Sequence, residues 1–521
     1  MHYSNYPNKV NYFNSNGELT SISFKNIFDC VKNIIEHNEF DNINRVGICG
    51  KHSIEWIISS LIGIDLGVEL VAVPENLNNE DLKLNLDYLD IDLFFISSEI
   101  LQKEYFKNKS YIIYDDFLKY NKPSSKKRFK DDLEFNIIAF TSGSTSASKL
   151  KAFRFDNSST QVFINNFIKE YDISSQDNWV VCHSFSHIVH FEYILGALIF
   201  GYNVTLTEPL KFLLNTQKIN GDILITVPSV YQNLFNILYS RLPKTGLKKK
   251  IIDILLDSEL SQEKLKLIQS IRDYIYSDIK DYLGSFYKVM IIGAAPSSLE
   301  LKNKLLSLGL SIYEGYGMSE TNMISANTPK FYKIGSVGKV WDNIEYFLDD
   351  NSLIHVKTNP VRTTNYLNHE AIFNNDTFKE DGWVCTGDIG EIDDEGYLFI
   401  KGREKDILIS NSGKNINTNF IEQKLSNIEG VGFGLIYGDG KPYLIALISP
   451  LDSQNKLNHQ YLNDEISLIN KSLEIHERIQ KFIILNDALT IENELLTRSG
   501  KPRKQYIKNL YEDRIEQLYK N

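Results

Sequence analysis

Residues 141–149 read TSGSTSASK, a hydroxyl-rich loop that ends in a lysine. The apolar run 135–140 precedes this loop and is typical of a buried strand. Such a loop offers backbone N–H groups, several hydroxyls and one ammonium, which are the groups that hold polyphosphate oxygens. It is not a Walker loop, because the pattern G-x-x-x-x-G-K-[ST] is absent. A stretch of this composition is more often a flexible surface loop, so its role depends on the rest of the chain.

Residues 313–321 read YEGYGMSET and form a second candidate ligand segment. Gly315 and Gly317 allow a tight backbone path beside a ligand, and Tyr316 offers a ring face for stacking. Glu320 offers a hard oxygen of the kind that Mg²⁺ prefers. The structural alternative is a glycine turn that Glu320 caps, and the segment by itself does not decide between the two.

Three further segments carry polar groups that suit a nucleotide. The run DGWVCTGDIGE contains Asp388, whose carboxylate can accept hydrogen bonds from ribose hydroxyls. The run KGREKDIL contains Arg403, a fixed guanidinium fork that suits ribose and phosphate. The run LTRSGKPRK places Lys501 directly after a glycine in a predicted mobile loop, although a basic tail of this kind is more often simply solvated.

Apolar runs alternate between helical and strand periods over about the first 400 residues, which predicts α/β layers with parallel strands. The period predicts a helix over 54–66 and strands over 69–74, 92–97 and 289–292. From about residue 380 the sequence pattern changes to short predicted strands separated by glycines. The end of the chain then predicts a small α+β unit with a helix over 419–427, strands over 432–437 and 443–448, and a helix before Lys481.

Length, composition and charge limit the class of protein. A chain of 521 residues is too long for one ordinary core, so we expect two or three domains. A net charge of −11 argues against nucleic acid as a main partner. The four cysteines lie far apart with no C-x-x-C pair, which indicates a reducing compartment rather than a zinc ribbon or a disulfide framework. No secretory signal and no apolar stretch of about 18 residues is present, so we expect no transmembrane segment and a cytoplasmic location.

In their order and separations, the five segments resemble the adenylate-forming superfamily of acyl-CoA synthetases, peptide-synthetase adenylation domains and luciferases. The resemblance extends from about Lys51 to the C-terminus and is weakest before residue 135. Further segments are similar to the long-chain fatty acyl-CoA synthetase branch. They are HSFSHIVHFE (183–192), VPSVY (227–231), IGAAP (292–296), KIGSVGKV (333–340), SGKNINTNFIE (412–422) and LYEDRIEQLY (510–519).

This resemblance implies a fold and an activity. The implied fold is α/β, with a large multi-layered N-terminal domain of sheets and helices over 1–404 and a small mobile α+β C-terminal domain over 405–521. The small domain would swing about a hinge at Lys405. The implied activity is activation of a carboxylic acid by ATP and Mg²⁺ to acyl-AMP, with release of pyrophosphate, followed by transfer to the thiol of CoA. The expected acid is a medium- or long-chain fatty acid.

The resemblance also assigns roles to individual residues. Thr141 and Glu320 would hold Mg²⁺, and Lys501 would bridge the carboxylate and the α-phosphate. Asp388 and Arg403 would bind the ribose. The implied nucleotide contacts further include Ser142, Gly143, Ser144, Thr145 and Lys149 in the phosphate loop, and Gly293, Ala294, Ala295, Glu314, Gly315, Tyr316, Gly317, Met318 and Ser319 around adenine and along the neighbouring segment.

For the acid and the thiol, the resemblance implies a second set of residues. His187 matches the catalytic histidine beside the acyl pocket, and Tyr231 stands where relatives have an aromatic tunnel gate. The thiol channel would be lined by Gly413, Lys414 and Asn415.

The expected pocket segment, residues 184–197, is apolar and suits an acyl chain. Peptide-synthetase domains have an Asp in this region that meets the amino group, whereas this chain has Phe185 and Ser186. Glu192 is then the remaining candidate partner for a substrate amine.

A metal site is an alternative role for part of the same segment. His183, His187 and His190 have a spacing that permits ligands four residues apart on a helix. No nearby carboxylate pair or cysteine completes such a site, so the acyl-pocket role of His187 is the stronger interpretation.

Two departures from the family pattern leave the turnover and the acceptor open. The phosphate loop has Ser146, Ser148 and Leu150 where relatives have Gly, Pro and Gly, and serine lacks the freedom of glycine at positive φ. Thr418 and Asn419 replace the usual Pro-Glu of the thiol-channel segment. The alternatives are therefore a ligase that loads the phosphopantetheine arm of an acyl carrier protein and a non-catalytic nucleotide-binding relative.

Overall fold

The computed structural model describes residues 8–123, 134–141, 150–257, 262–285, 287–295, 297–367, 371–411, 414–452, 457–490, 493–496 and 502–520. Several predicted site residues lie outside this described part. They are the phosphate-loop residues 142–149, Gly413 and Lys501.

Strands are spread over the whole described chain. They are β1 (Lys9–Phe13), β2 (Leu19–Ser23), β3 (Arg45–Cys49), β4 (Glu69–Val73), β5 (Leu93–Ile96), β6 (Tyr111–Ile113), β7 (Asn136–Thr141), β8 (Lys151–Asp156), β9 (Asn178–Val181), β10 (Asn203–Leu206), β11 (Ile223–Thr226), β12 (Val289–Ile292), β13 (Ile312–Met318), β14 (Asn322–Ala326), β15 (Lys339–Val340), β16 (Ile344–Leu348), β17 (Leu353–Thr358), β18 (Val384–Ile392), β19 (Leu398–Arg403), β20 (Ile407–Ile409), β21 (Asn415–Asn417), β22 (Val431–Tyr437), β23 (Leu444–Pro450) and β24 (Ile479–Ile484).

Helices connect and cover these strands. They are α1 (Phe24–His37), α2 (Ile54–Leu66), α3 (Asn79–Leu86), α4 (Asn157–Tyr171), α5 (Ile188–Phe200), α6 (Pro209–Ile219), α7 (Pro228–Ser240), α8 (Gly246–Asp257), α9 (Gln262–Ile275), α10 (Ser277–Leu283), α11 (Leu299–Ser307), α12 (Ala371–Thr377), α13 (Thr418–Ser426), α14 (His459–Lys471), α15 (Lys504–Leu510) and α16 (Glu512–Lys520).

The larger sheet has nine strands in the order β15-β14-β13-β12-β11-β9-β10-β1-β2. Six of them, β1 and β9 to β13, form a parallel array. Parallel strands need crossover connections: α5 joins the neighbours β9 and β10, α11 joins the neighbours β12 and β13, and α6 joins β10 to β11 across β9. The antiparallel hairpin β13–β14 extends this array at one edge.

A second sheet has six strands in the order β6-β5-β3-β4-β7-β8, and its one antiparallel pair is β7–β8. One hydrophobic core contains buried residues of both sheets, including Ile48 and Ala139 from the smaller sheet and Val181 and Ile291 from the larger. Helices α2 and α5 are buried on nearly every side within this core, which explains why their sequences are apolar all round. An antiparallel four-stranded sheet, β16 to β19, follows in the chain.

The C-terminal residues form a smaller α+β unit with hydrophobic clusters of its own. Its three-stranded sheet contains β22, β23 and β24. Side chains of α13 and α14 pack on one face of that sheet, and side chains of α15 and α16 belong to the cluster on the other face. The expected α/β fold with a large N-terminal and a small C-terminal domain is therefore confirmed. The boundary between residues 404 and 405 stays a prediction.

Most elements lie where the sequence pattern predicts them. The helix over 54–66 and the strand over 289–292 are α2 and β12 with the same bounds. Ser53 caps α2 by accepting the N–H of Trp56, and Gly67 ends the helix in the left-handed region at φ 76°. The predicted bounds of β4, β5, β22, β23 and α13 differ from the observed ones by one or two residues.

Two sequence expectations concern the environment of the chain. Within the described ranges, no helix is both long and apolar enough to cross a bilayer. All four cysteines are free thiols, and three of them, Cys30, Cys49 and Cys182, are buried.

Candidate active site

The carboxyl ends of the central parallel strands gather several of the predicted residues at one edge of the larger sheet. His183 follows β9, and its Nε2 lies 2.7 Å from the hydroxyl of Thr226 at the end of β11. Gly293 follows β12, where a Cβ would come within 3.0 Å of the carbonyl oxygen of Gly315 on β13. The predicted adenine segments, 293–295 and 314–316, therefore lie next to each other. In open α/β sheets, ligands bind at this edge.

A tight hairpin between β13 and β14 carries Glu320. A side chain at Gly317 would bring its Cβ within 2.2 Å of the carbonyl oxygen of Asn322, so glycine is needed for this close approach. Met318 pairs with Asn322 across the hairpin, and Ser319 begins the turn. The glycines of the YEGYGMSET segment therefore shape the hairpin that positions Glu320.

Glu320 is buried and hydrogen-bonded. The hydroxyl of Tyr366 donates to its Oε1 at 2.5 Å. Burial raises the pKa of Glu320, whereas the Tyr366 hydrogen bond and the charges of Lys151 and Arg403 act in the opposite direction. Lys151 is also the register partner of Thr141 in the β7–β8 pair. The predicted metal ligands Thr141 and Glu320 therefore both lie near Lys151.

Three segments that are far apart in sequence meet in one hydrogen-bonded cluster. Tyr316 donates its hydroxyl to Oδ2 of Asp388 at 2.7 Å. Arg403 donates from Nε to Oδ1 of the same carboxylate at 2.7 Å. Strand pairing aligns Asp388 on β18 with Arg403 on β19, which sets this second contact. The structure therefore brings the YGMSET, TGD and GREKD segments together.

A buried ion pair that the sequence analysis missed lies against the Glu320 hairpin. Arg362 donates from Nη1 to Oε1 of Glu192 at 2.8 Å and from Nη2 to Oε2 at 3.1 Å. Both side chains are at most 1% exposed. Thr160 donates to Oε1 at 2.6 Å, and Asn322 donates to both oxygens at 3.1 Å. Glu192 is therefore saturated with protein donors, and the structure removes it as the candidate partner for a substrate amine.

The same ion pair holds both ends of the turn that carries Glu320. Arg362 Nε donates to the carbonyl of Ser319 at 2.9 Å, on one side of Glu320. Asn322, on the other side, donates to Glu192. The only signal in the sequence is a glutamate inside an apolar helix, since its partner lies 170 residues away.

Tyr231 does not occupy the position expected of a tunnel gate. It is fully buried in α7, and its hydroxyl lies 3.0 Å from the carbonyl oxygen of Leu224 and 3.1 Å from that of Ile291. These contacts tie α7 to β11 and β12. The expectation of an aromatic tunnel gate is therefore corrected, because Tyr231 is a core residue whose hydroxyl is held by two backbone carbonyls.

The expected apolar pocket segment is largely helix α5, and most of its apolar side chains are buried in the core. Phe185 contacts the ring of Trp56, with centroids 5.0 Å apart, and Phe191 contacts the same ring at 4.9 Å. Ile188, Ile194 and Leu195 belong to the core cluster shared by the two large sheets. Packing between the sheets accounts for the apolar character of this segment, so that character no longer indicates an acyl channel.

The histidines of this segment do not support the metal alternative. Helix α5 begins at Ile188, so His183 and His187 precede it and do not share a helical face with His190. His187 is exposed at the start of α5. In the part of the chain that the structure describes, no group of three or more His, Cys, Asp or Glu side chains is arranged to hold a metal ion.

Other predicted residues lie away from the hydrogen-bonded clusters. Lys405 is exposed in the short 3₁₀ turn Glu404–Asp406, directly after β19. Lys414 and Asn415 are exposed near the two-stranded β20–β21 sheet. The phosphate loop 142–149, Gly413 and Lys501 lie outside the described residues, so their predicted roles stay predictions.

The fold and the clustered motifs define an adenylate-forming type of protein, and comparison with known families agrees. The AMP-binding enzyme family matches residues 2–359, and the C-terminal domain of AMP-binding enzymes matches residues 405–521. The chain belongs to the AMP-binding enzyme family.

Similar proteins include fatty acid–CoA ligases. The long-chain-fatty-acid–CoA ligase FadD15 of Mycobacterium bovis is 25% identical over 370 residues, which are 64% of this chain and 61% of that protein. The match thus spans less than two thirds of that relative. Fatty acyl-CoA synthetase B of Dictyostelium discoideum is 25% identical over 556 residues, covering 91% of this chain and 81% of that protein.

Solved structures share the fold at lower sequence identity. The O-succinylbenzoate coenzyme A synthetase MenE of Bacillus subtilis in complex with AMP has a TM-score of 0.74 and 18% identity, covering 97% of this chain and 98% of that one. The same enzyme in complex with ATP and magnesium ion has a TM-score of 0.71 and 18% identity, covering 96% of this chain and 97% of that one.

A group of imidazoles near the carboxyl ends of the strands predicts acid sensitivity. The rings of His183 and His190 lie 5.0 Å apart. Burial, followed by the charges of His187 and His52, lowers the pKa of His183 to about 4, and burial also lowers the pKa of His190. The ordinary histidine pKa is about 6.5. The folded state therefore resists a proton that the unfolded chain binds between about pH 6.5 and pH 4.

We expect the free energy of unfolding to fall as pH falls through this window, by about 1.4 kcal/mol per pH unit for each such histidine. His183→Gln should reduce the slope of the unfolding free energy against pH by the contribution of one proton, about 1.4 kcal/mol per pH unit. The slope is measured by urea unfolding between pH 4 and pH 7. His37→Gln, at the exposed end of α1, is the matched control. An unchanged slope in His183→Gln would show that this histidine does not contribute.

Proposed function

We propose that this chain joins a carboxylic acid to AMP, releases pyrophosphate, and transfers the acyl group to the thiol of CoA. The observation that carries the proposal is the cluster of Tyr316, Asp388 and Arg403. It joins three motif segments at the sheet edge where ligands bind in such folds. Membership of the AMP-binding enzyme family and similarity to CoA ligases support it.

The chemistry requires two anions to approach each other. A carboxylate is a poor electrophile, because its two oxygens share a full negative charge. Attack of a carboxylate oxygen on the α-phosphorus of ATP forms a mixed anhydride, and the electron pair of the broken P–O bond leaves with pyrophosphate. Positive charge placed where negative charge develops lowers this barrier. We assign that role to Lys501 and to the phosphate loop 142–149, both on the family resemblance.

The cluster around Asp388 is suited to the ribose. Its carboxylate can accept hydrogen bonds from ribose hydroxyls, and Arg403 fixes its orientation from the neighbouring strand. Burial, followed by the charge of Asp388, raises the pKa of Tyr316, so that hydroxyl remains a donor to the carboxylate. We therefore propose that Asp388 and Arg403 hold the ribose and that the Tyr316 segment lies along the adenine.

Glu320 has the properties that a Mg²⁺ ligand needs. Its carboxylate supplies hard oxygens; burial raises the pKa of Glu320, and the positive charges of Lys151 and Arg403 act against that rise. A bound Mg²⁺ would neutralise phosphate charge during the first step. We propose that Glu320 and Thr141 hold this ion.

The hinge at Lys405 is proposed from the contacts on its two sides. Arg403, before it, belongs to the Asp388 cluster of the large domain. Asp406, after it, accepts two hydrogen bonds from residues of α13. Thr418 donates to its backbone carbonyl at 2.9 Å, and Asn419 donates to its carboxylate at 3.2 Å. A rotation at Lys405 would leave both sets of contacts intact. We propose that such a rotation moves Lys501 away and admits the thiol along Gly413, Lys414 and Asn415.

We propose a medium- or long-chain fatty acid as the substrate, with support from the fatty acid–CoA ligases among the relatives. The saturated carboxylate of Glu192 argues against an amino acid, because it cannot pair with an α-amine without losing Arg362. A panel of acids from acetate to palmitate, with aryl and amino acids included, tests this proposal by carboxylate-dependent exchange of pyrophosphate into ATP.

In this panel we expect kcat/KM to rise about three- to fourfold for each added methylene until the acyl site is full. A flat profile, or a best substrate with an α-amine, would contradict the fatty-acid assignment and leave adenylation intact. If none of the acids in the panel supported exchange, the proposed function would be contradicted.

The acceptor is tested with the same preparation. We expect free CoA to accelerate release of AMP from the acyl-adenylate. If only a holo-carrier protein accelerates it, the alternative ligase for a phosphopantetheine arm is correct. Thr418 and Asn419, which depart from the family pattern, favour neither acceptor, because their side chains bind Asp406.

The two-step account predicts a split effect of Lys501→Ala. The activation free energy for formation of the acyl-adenylate should rise by about 3–4 kcal/mol, and its rate should fall accordingly, since one preorganised charge is lost. Transfer to thiol from a supplied acyl-adenylate should be largely retained. Lys508→Ala, on the last helical turn of α15, is the control. Equal loss in both half-reactions would contradict the split role.

A further inference from the structure

Lys151 lies beside Glu320 and belongs to none of the five motif segments. It lies on β8, opposite Thr141 on β7. Its side chain is half-buried, and its Nζ lies 4.7 Å from the ring centroid of Tyr366. The hydroxyl of that same ring donates to Glu320. Lys151, Tyr366 and Glu320 therefore form one continuous row.

The charges that face Lys151 come from several elements. Glu320 on the hairpin and Asp376 on α12 attract its ammonium, whereas Lys405 in the hinge turn and Arg403 on β19 repel it. Burial is the largest influence and lowers its pKa. Among the described residues no carboxylate lies within ion-pair distance of Nζ. The ammonium therefore pairs with no described carboxylate, while two anions and two cations from four other elements surround it at the Glu320 site.

We propose that Nζ of Lys151 binds a phosphate oxygen of the pyrophosphate part of ATP, as a cation additional to Lys149. This inference rests on the proposed function and concerns the same site. When the α–β bridging P–O bond breaks, its electron pair stays on the oxygen that leaves with pyrophosphate. An ammonium at Lys151 offsets that charge and forms a charge-assisted hydrogen bond.

A purely structural role would be packing of the lysine stem on Tyr366. Lys151→Met keeps an apolar stem on the ring and removes the charge, while Lys151→Arg keeps the charge. Lys169→Met is the matched control, because Lys169 is an exposed lysine on α4 with a single surface partner, Asp342. The probes are inorganic pyrophosphate and ATP, each with Mg²⁺, titrated calorimetrically into the full-length protein, with Tm measured for every variant.

We expect Lys151→Met to weaken pyrophosphate binding about tenfold or more, as loss of a hydrogen bond between charged groups does. Lys151→Arg should recover most of the affinity, and Lys169→Met should match the wild type. Equal pyrophosphate Kd values for Lys151→Met and the wild type would overturn the inference. If Lys151→Met also lowers Tm, recovery by Lys151→Arg supports the inference, and failure of that recovery overturns it.

The proposed function fails separately from this inference. The proposed function is contradicted if the wild-type protein binds Mg²⁺-pyrophosphate and MgATP but none of the acids tested supports exchange. In that case the Kd values of the Lys151 variants still decide the inference. Wild-type protein that binds neither probe overturns both.

Discussion

The buried ion pair between Glu192 and Arg362 constrains the centre of the molecule. Removing two charges from water is costly, and the pair is stable only because its remaining hydrogen-bonding capacity is used. Thr160 and Asn322 donate to the carboxylate, while the guanidinium also donates to Ser319 and Ser159. The pair thereby joins α4, α5, the β13–β14 hairpin and the segment after β17. These four elements must pack in one arrangement for every donor to find its acceptor.

The segment after β17 supports Glu320 from two directions. Arg362 holds the backbone before Glu320 through the carbonyl of Ser319, and Tyr366, four residues later, donates to the Glu320 side chain. The ring of Tyr366 also contacts Lys151. The proposed MgATP site would need the Glu320 carboxylate fixed in advance, because mobile charges would collapse onto one another. The ion pair meets this requirement from the protein core, where water does not compete.

The parts of the site that the sequence predicts are those whose signal is local. Helix α2 has its own caps, and the glycines around Tyr316 are needed by the hairpin itself. The grouping of Tyr316, Asp388 and Arg403 followed from the resemblance, because no short-range pattern links residues so far apart.

The parts that the sequence did not predict depend on tertiary packing. The apolar run of α5 has the same composition whether it lines an acyl channel or packs between two sheets, and the structure places it between sheets. Tyr231 likewise resembles a gate in sequence and is a core residue in the fold. The sequence around Glu192 does not indicate that Arg362 is its partner, because the two residues are 170 positions apart and meet only in the folded chain. Lys151 differs from an ordinary strand lysine only through the residues that surround it.

The central claim, that the Glu192–Arg362 pair holds the Glu320 hairpin for nucleotide binding, is tested most directly by a double-mutant cycle. The free energy of unfolding and the Kd of MgATP are measured for the wild type, Glu192→Gln, Arg362→Met and the double variant. We predict that each single change costs about 3–5 kcal/mol of stability and weakens MgATP binding, and that the double variant loses less than the sum. Additive losses, or single variants that bind MgATP as tightly as the wild type, would contradict the account.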